Sequence, residues 1–106
     1  MILATIDKIA GKEITEVLGL VRGNTIRARH LGKDIMAGLK NIVGGEITDY
    51  TKMMAESREQ SIDRMTEEAK NLGADAIVGI RFTTSSVMQG AAELMVYGTA
   101  VKIIDK

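Results

Sequence analysis

The stretch from residue 50 to residue 79 most constrains what this chain can fold into. At 100° per residue, its first part separates a charged side from a largely apolar side, which is typical of a helix packed on a core. The side expected to face inwards consists of Tyr50, Met54, Ser57, Ser61, Met65, Glu68 and Leu72. Gly73 stands where a helix commonly ends in a left-handed residue. The apolar run over residues 76–82 predicts that the helix leads directly into a strand.

Three other segments have strand-like patterns. Residues 1–6 predict a short first strand, and residues 13–21 a second one that is continued by residues 25–28. Gly19 and Gly23 interrupt this second run, so we expect a bulge or a close backbone approach at these positions. Residues 93–104 predict the last strand, which would pair with the strand that follows the long helix.

A second, shorter helix is predicted over residues 31–43 by its helical spacing of apolar residues. Gly44 and Gly45 are expected to stop it, and residues 47–49 to cap the long helix. Together these elements predict one α+β domain over residues 1–106: a small antiparallel sheet packed with one long and one short helix.

Composition excludes several classes of protein. The chain has 106 residues, 45% of them hydrophobic and only 3% aromatic, so its core is expected to be aliphatic and rich in methionine. Cysteine is absent, which removes disulfides, thiolate nucleophiles and cysteine metal sites. Fourteen basic and fourteen acidic residues cancel, so no global field favours nucleic acid or an anionic membrane. With no recognisable signal or membrane span, we expect a cytoplasmic protein.

The two strands that follow the long helix are apolar on both sides. A sheet with one face in water should instead alternate apolar and polar residues. One long and one short helix cannot easily cover both faces of three or four strands. The pattern therefore favours a homo-oligomer, with sheets joined edge to edge or packed face to face.

Three segments resemble the YbjQ family, whose members are labelled heavy-metal-binding domains. They are Asn41-Ile42-Val43-Gly44-Gly45, Leu72-Gly73-Ala74-Asp75-Ala76-Ile77-Val78-Gly79 and Gly98-Thr99-Ala100-Val101. The resemblance implies an α+β subunit, dodecin-like in outline, that assembles into a ring, commonly a pentamer. The resemblance implies no catalytic residues for this chain.

A metal site is one hypothesis for the function. His30 is the single histidine, and Asp34 could share a helix face with it. A catalytic zinc needs three protein ligands and a structural zinc four, so Glu46, Asp49 or symmetry-related copies of His30 would have to complete the set. Methionine sulfurs suit soft metals, but the spacing of the methionines equally fits core filling. The alternative for His30 is an exposed side chain near a helix start.

An anion site is a second hypothesis. Arg27 and Arg29 lie in a basic segment, and Gly44 and Gly45 precede the long helix, whose free N–H groups could hold a phosphate or carboxylate. Glu68 lies on the predicted inward side, where it would pair across a subunit contact or line a pocket. No phosphate-binding fingerprint is present. The alternative is a solvated loop with an ordinary helix cap.

These observations lead to one preferred function and two alternatives. We expect a non-enzymatic, ring-forming homo-oligomer that binds a small ligand at subunit boundaries, since no nucleophile–base pair can be named. The cofactor is unknown, with a metal ion as the candidate. The first alternative is a heavy-metal-binding protein that uses His30 with acidic groups, or methionine sulfurs, at subunit interfaces. The second is an assembly module without a ligand.

Overall fold

The computed structural model describes residues 1–28, 43–88 and 91–106. In these ranges the chain forms strands β1 (Ile2–Leu3) and β2 (Lys12–Ala28), helix α1 (Val43–Asn71), and strands β3 (Ala76–Met88) and β4 (Ala91–Asp105). The four strands form one sheet in the order β1-β3-β4-β2. Three strands are antiparallel as expected, but β1 pairs with β3 in parallel, so the sheet is mixed.

Strand β2 is one continuous strand of 17 residues rather than two shorter pieces. Its pairing with β4 shifts register between Ile14 and Glu16 and again between Val17 and Gly19. Gly19 has a φ of 131°, which side chains rarely adopt, so glycine is needed at this bulge. The bulge predicted at Gly19 is confirmed, and it places Val17 and Leu20 on the same face of the sheet.

Gly23 of β2 is the point where the strand and α1 approach most closely. A Cβ atom built there would overlap the carbonyl oxygen of Ser61 and lie 2.6 Å from the nitrogen of Met65. The backbones can reach this distance only because the side chain is a hydrogen atom. The predicted close backbone approach is confirmed.

Helix α1 begins at Val43, so the predicted start near residue 50 is wrong. Gly44 and Gly45 belong to the first turn of α1, and residues 47–49 lie inside the helix rather than capping it. Glycine is accepted at helix N-termini at small cost, so this pair did not force a stop. The predicted short helix over residues 31–43 lies outside the described residues, except for Val43.

The C-terminal end of α1 was predicted correctly. Gly73 has a φ of 81°, its N–H donates to Lys70 O at 2.9 Å, and the N–H of Ala74 donates to Ala69 O at 3.0 Å. This pair of bonds is the Schellman arrangement, which satisfies the last carbonyls of a helix. After this turn the chain enters β3 at Ala76.

The buried side of α1 differs from the predicted one at its C-terminal end. Ser57, Ser61, Met65 and Ala69 are buried, whereas Glu68 and Leu72 are exposed. The buried set follows a row of i+4 spacing, which is inclined to the helix axis and lies along β2. The core beneath it is formed by Val21, Met65, Ala69, Ile77, Ile80, Val96 and Ala100.

A second, smaller cluster lies on the other face of the sheet. It consists of Ala76, Val78 and Val101, with Ile9, Ile14 and Ile103 packed against it. The molecule measures 58 × 23 × 18 Å, and β2 alone accounts for this length, because each strand residue extends the chain by about 3.3 Å. None of the helices described is long and apolar enough to cross a membrane.

Candidate functional site: the open face of the sheet and its ends

We call the face of the sheet opposite α1 the open face. Strand register defines its rows: Val78, Thr99 and Leu20 lie side by side, and Arg81, Tyr97 and Arg22 form the next row. A register shift between Val78 and Arg81 puts both on this face. The open face is therefore mainly apolar at the end where β1 pairs, and mixed beyond Arg81, where Ile26 and Met95 stand among polar residues. The sequence predicted that the two strands after the long helix are apolar on both faces along their full length. On the open face, this prediction holds for only part of β3 and β4.

Large hydrophobic side chains of β2 project into solvent from the open face. Val17 is 66% exposed, Leu20 is 62% exposed and Ile26 is 59% exposed. Ile26 lies apart from the other two, in the row of Glu93 and Ser85. Val17 pairs directly with Val101 of the second cluster and Leu20 lies in the row of Val78, so these two side chains extend an apolar surface that is already partly packed. Such contiguous patches commonly mark contact sites.

The polar part of the open face is held by hydrogen bonds rather than by ion pairs between strands. Asn24 Nδ2 donates to Glu93 Oε2 at 3.1 Å. Arg81 Nη1 donates to Thr5 O at 2.7 Å and to Ile80 O at 2.8 Å, which fastens the segment after β1 to the edge of β3. Arg81 and Glu93 do not form an ion pair with each other.

The residues predicted to bind an anion lie far apart where the structure describes them. Arg27 is on the α1 side of β2, and its Nη2 donates to Gln60 Oε1 at 2.6 Å. Along the helix axis, Gln60 is about 12 Å from Glu68 and about 22 Å from Gly45, at 1.5 Å per residue. Glu68 is exposed instead of facing inwards. Arg29 lies outside the described residues, as do His30 and Asp34 of the predicted metal site.

A cluster of three buried hydroxyl groups joins α1 to the sheet. Thr25 Oγ1 is hydrogen-bonded to Ser57 Oγ and lies 3.2 Å from Ser61 Oγ, which in turn donates to Leu94 O at 3.4 Å. The inward direction of Ser57 and Ser61 was predicted from the sequence. Thr25 was missed, although a polar residue at an inward strand position was the available signal. The described contacts include no base, so the cluster is a helix–sheet connection.

A groove lies at the opposite end of the sheet from Arg27 and was not predicted. It has a volume of about 390 Å³ and is lined by Lys8, Ile9, Ala10, Gly11, Lys12, Glu13, Ile14 and Lys106. Two backbone bonds shape it: the N–H of Lys12 donates to Ile9 O, and the N–H of Lys106 donates to Gly11 O, both at 3.0 Å. Lys12 forms an ion pair with Asp105, and its hydrogen bond lowers the pKa of that carboxyl group.

Metal ligands are sparse in the described part of the chain. Residues 1–28, 43–88 and 91–106 contain no group of three or more histidine, cysteine, aspartate or glutamate side chains placed to hold an ion. Of the methionines, Met65 is buried in the core, which is the core-filling role considered above. Within one chain, the described residues therefore bring no such set of ligands together.

Over the ranges that the structure describes, one helix on one face of a four-stranded mixed sheet defines a small two-layer α+β protein. The model of the YbjQ family, described as "Putative heavy-metal-binding", matches residues 1–104. The chain belongs to this family, and the resemblance seen in its sequence is confirmed.

Curated relatives agree with this assignment, and a solved structure shares the fold. The chain is 62% identical to a UPF0145 protein of Methanosarcina acetivorans over the full length of both chains. It is 58% identical to a UPF0145 protein of Vibrio parahaemolyticus over 99% of this chain and 100% of that one. A crystal structure from Pediococcus pentosaceus, described as a protein of unknown function in the DUF74 family, superposes with a TM-score of 0.68 at 19% identity and covers 98% of each chain. At that identity, the likeness shows the fold.

Proposed function

We propose that the chain is a subunit of a non-enzymatic, cytoplasmic homo-oligomeric ring, in which another copy covers the apolar part of the open face and a small ligand binds at the boundary between copies. The family resemblance adds an expected number of five subunits. What supports the proposal is the extended shape of the chain and the large hydrophobic side chains that its described residues leave exposed.

The accessible surface of the single chain carries this proposal. It is 7078 Å², whereas a compact monomer of 11.5 kDa is expected to expose about 5,800 Å². The excess of about 1,300 Å² exceeds the roughly 800 Å² that each partner buries in a standard interface. The radius of gyration is 17.6 Å, against about 13 Å for a compact domain of similar length. A second copy is the occupant that such an excess fits best.

The position of the exposed side chains indicates where the contact forms. Val17 and Leu20 adjoin the second cluster, so a neighbouring copy would turn a half-covered apolar surface into a core. Burying each of these side chains fully stabilises an assembly by about 1.5–3 kcal/mol. In the single chain the same side chains contribute little, because water already surrounds them.

The assembly is tested by native mass spectrometry and by size-exclusion chromatography with light scattering. The wild-type chain is expected to run as one oligomer, and Leu20→Lys as a folded monomer. Leu72→Lys is the matched control, because Leu72 is 45% exposed at the end of α1 and away from the open face; it should keep the oligomer. A wild-type chain that stays monomeric at 11.5 kDa overturns the proposal.

Heavy-metal binding is the second candidate, and the description of the family favours it. His30 and Asp34, or methionine sulfurs, repeated by symmetry would then supply the ligands. The same native spectra decide this, when recorded before and after dialysis against a chelator and with His30→Ala. An unchanged mass and the absence of stoichiometric metal would leave the ligand-binding ring, or an assembly module without a ligand.

A further inference from the structure

We propose that the groove lined by residues 8–14 and Lys106 binds a small carboxylate that carries a short alkyl chain. This inference rests on the proposed function in one respect, since it names a site and a ligand class for a ligand-binding ring. The volume of the groove, about 390 Å³, falls within the roughly 300–1,000 Å³ of ordinary small-molecule sites.

The lining of the groove has two parts of different chemistry. Ile9 and Ile14 supply large apolar side chains, which we call the floor of the groove, and both pack against the second cluster. Lys8, Lys12 and Lys106 stand around it with a single glutamate, Glu13. An alkyl chain would displace water from the floor, and a carboxylate would accept charge-assisted hydrogen bonds from the ammonium groups.

With Lys12 paired, the side chains of Lys8 and Lys106 outnumber the single carboxylate of Glu13, so the charges of the groove favour an anion over a cation. Lys12 is already paired with Asp105. Lys8 and Lys106 are exposed, and among the described residues neither lies within 4 Å of a carboxylate oxygen. These two ammonium groups are therefore the ones we assign to the ligand. Lysine is a flexible point charge, which suits a mobile small carboxylate better than a rigidly oriented one.

The groove also lies beside the surface that we propose to be covered by another copy. Its floor residue Ile14 pairs with Ile103, and Val17 pairs with Val101 on the same open face. A neighbouring copy over Val17 would close the groove from the side and reduce its contact with water. The site would then lie at a boundary between subunits.

The test uses the full-length assembled chain and follows backbone amide chemical shifts during titration with hexanoate. Saturable shifts confined to residues 8–14 and 106 are expected. Acetate, which lacks the alkyl chain, and hexylammonium, which has the opposite charge, should produce no saturable shifts there. Shifts spread over the surface, or equal responses to all three probes, would overturn the inference.

Two variants assign the charges. Lys8→Gln combined with Lys106→Gln should weaken hexanoate binding by about threefold to tenfold, as expected for two exposed charges. Lys102→Gln, an exposed lysine of β4 outside the groove, should leave it unchanged. If the double variant and Lys102→Gln bound hexanoate with equal affinity, that result would also contradict the proposed site. Native mass spectra of the same samples separate the two proposals. An oligomer that does not bind hexanoate would contradict the proposed groove site and leave the proposed ring intact. A monomer that binds hexanoate would contradict the ring and leave the groove site intact.

Discussion

Gly23 is the position at which the backbones of α1 and β2 come closest, and this contact requires a residue without a side chain. It is buried, and α1 crosses it so closely that a methyl group would collide with the backbone at Ser61 and Met65. The neighbouring Arg64 secures the crossing, since its Nη1 donates to Asn24 O at 2.6 Å. Backbone atoms cannot turn aside as a flexible side chain can, so any substitution must push the two elements apart.

We therefore expect Gly23→Ala to destabilise the chain by about 3 kcal/mol, at the upper end for overpacked sites. Gly19→Ala is the matched comparison, because nothing lies within 4 Å of its Cβ position and only its backbone conformation is strained. It should cost about 1 kcal/mol. Urea denaturation monitored by circular dichroism measures both. If Gly19→Ala proved the more costly change, the close approach at Gly23 would not limit stability.

At the scale of single residues, the sequence shows which positions have a special structural role, but it does not show what that role is. The two interrupting glycines of β2 were marked by their position in an apolar run, but only the structure shows that one serves a bulge and the other a crossing. Glu68 was misplaced because a helical projection gives the angle of a side chain and not the direction in which the partner strand crosses it.

At the scale of elements, the contact between α1 and β2 has an apolar part and a polar part. Toward the end of the helix, Val21, Met65 and Ala69 pack together. Further along β2, Thr25, Ser57 and Ser61 replace apolar packing with hydrogen bonds in a buried place. Buried polar groups tolerate only one arrangement, so this part fixes how far α1 can slide along β2.

Thr25→Val should destabilise the chain by about 1–3 kcal/mol, because it keeps the shape and leaves buried serine hydroxyls short of a partner. Adding Ser57→Ala should cost less than the sum of the two single changes, with a coupling of about 1 kcal/mol. Thr84→Val, on an exposed part of β3, is the control and should stay within about 0.5 kcal/mol of wild type. Strict additivity would show that the hydroxyl groups do not act together.

The ends of the elements were less predictable than their existence. The end of α1 at Gly73 followed from a glycine in its common place, whereas its start did not, because two glycines that resemble a stop also fit a first turn. The parallel pairing of β1 depends on residues more than 70 positions away, Ala76 and Ile77. Local pattern carries no information about such a contact. The groove was missed for the same reason, since it joins residues 8–14 to Lys106.

At the scale of the whole molecule, the described residues bury little apolar surface for a chain of this length. Only eleven hydrophobic residues of the described chain are buried, and the distal part of β3 from Arg81 to Met88 is exposed throughout. The sequence indicated this shortage through strands that are apolar on both sides. It could not show that the open face changes character at Arg81, because the register shift that causes the change arises from pairing with β4.

If assembly supplies the missing burial, the stability of the protein must depend on its concentration. Raising the protein concentration about a hundredfold should raise the wild-type melting temperature by roughly 5 °C or more. Leu20→Lys should melt at a lower temperature that does not vary with concentration, while Leu72→Lys should follow the wild type. Differential scanning calorimetry over that range measures all three. A wild-type melting temperature independent of concentration would mean that the exposed side chains of β2 are tolerated in water, and the assembly would lose its physical basis.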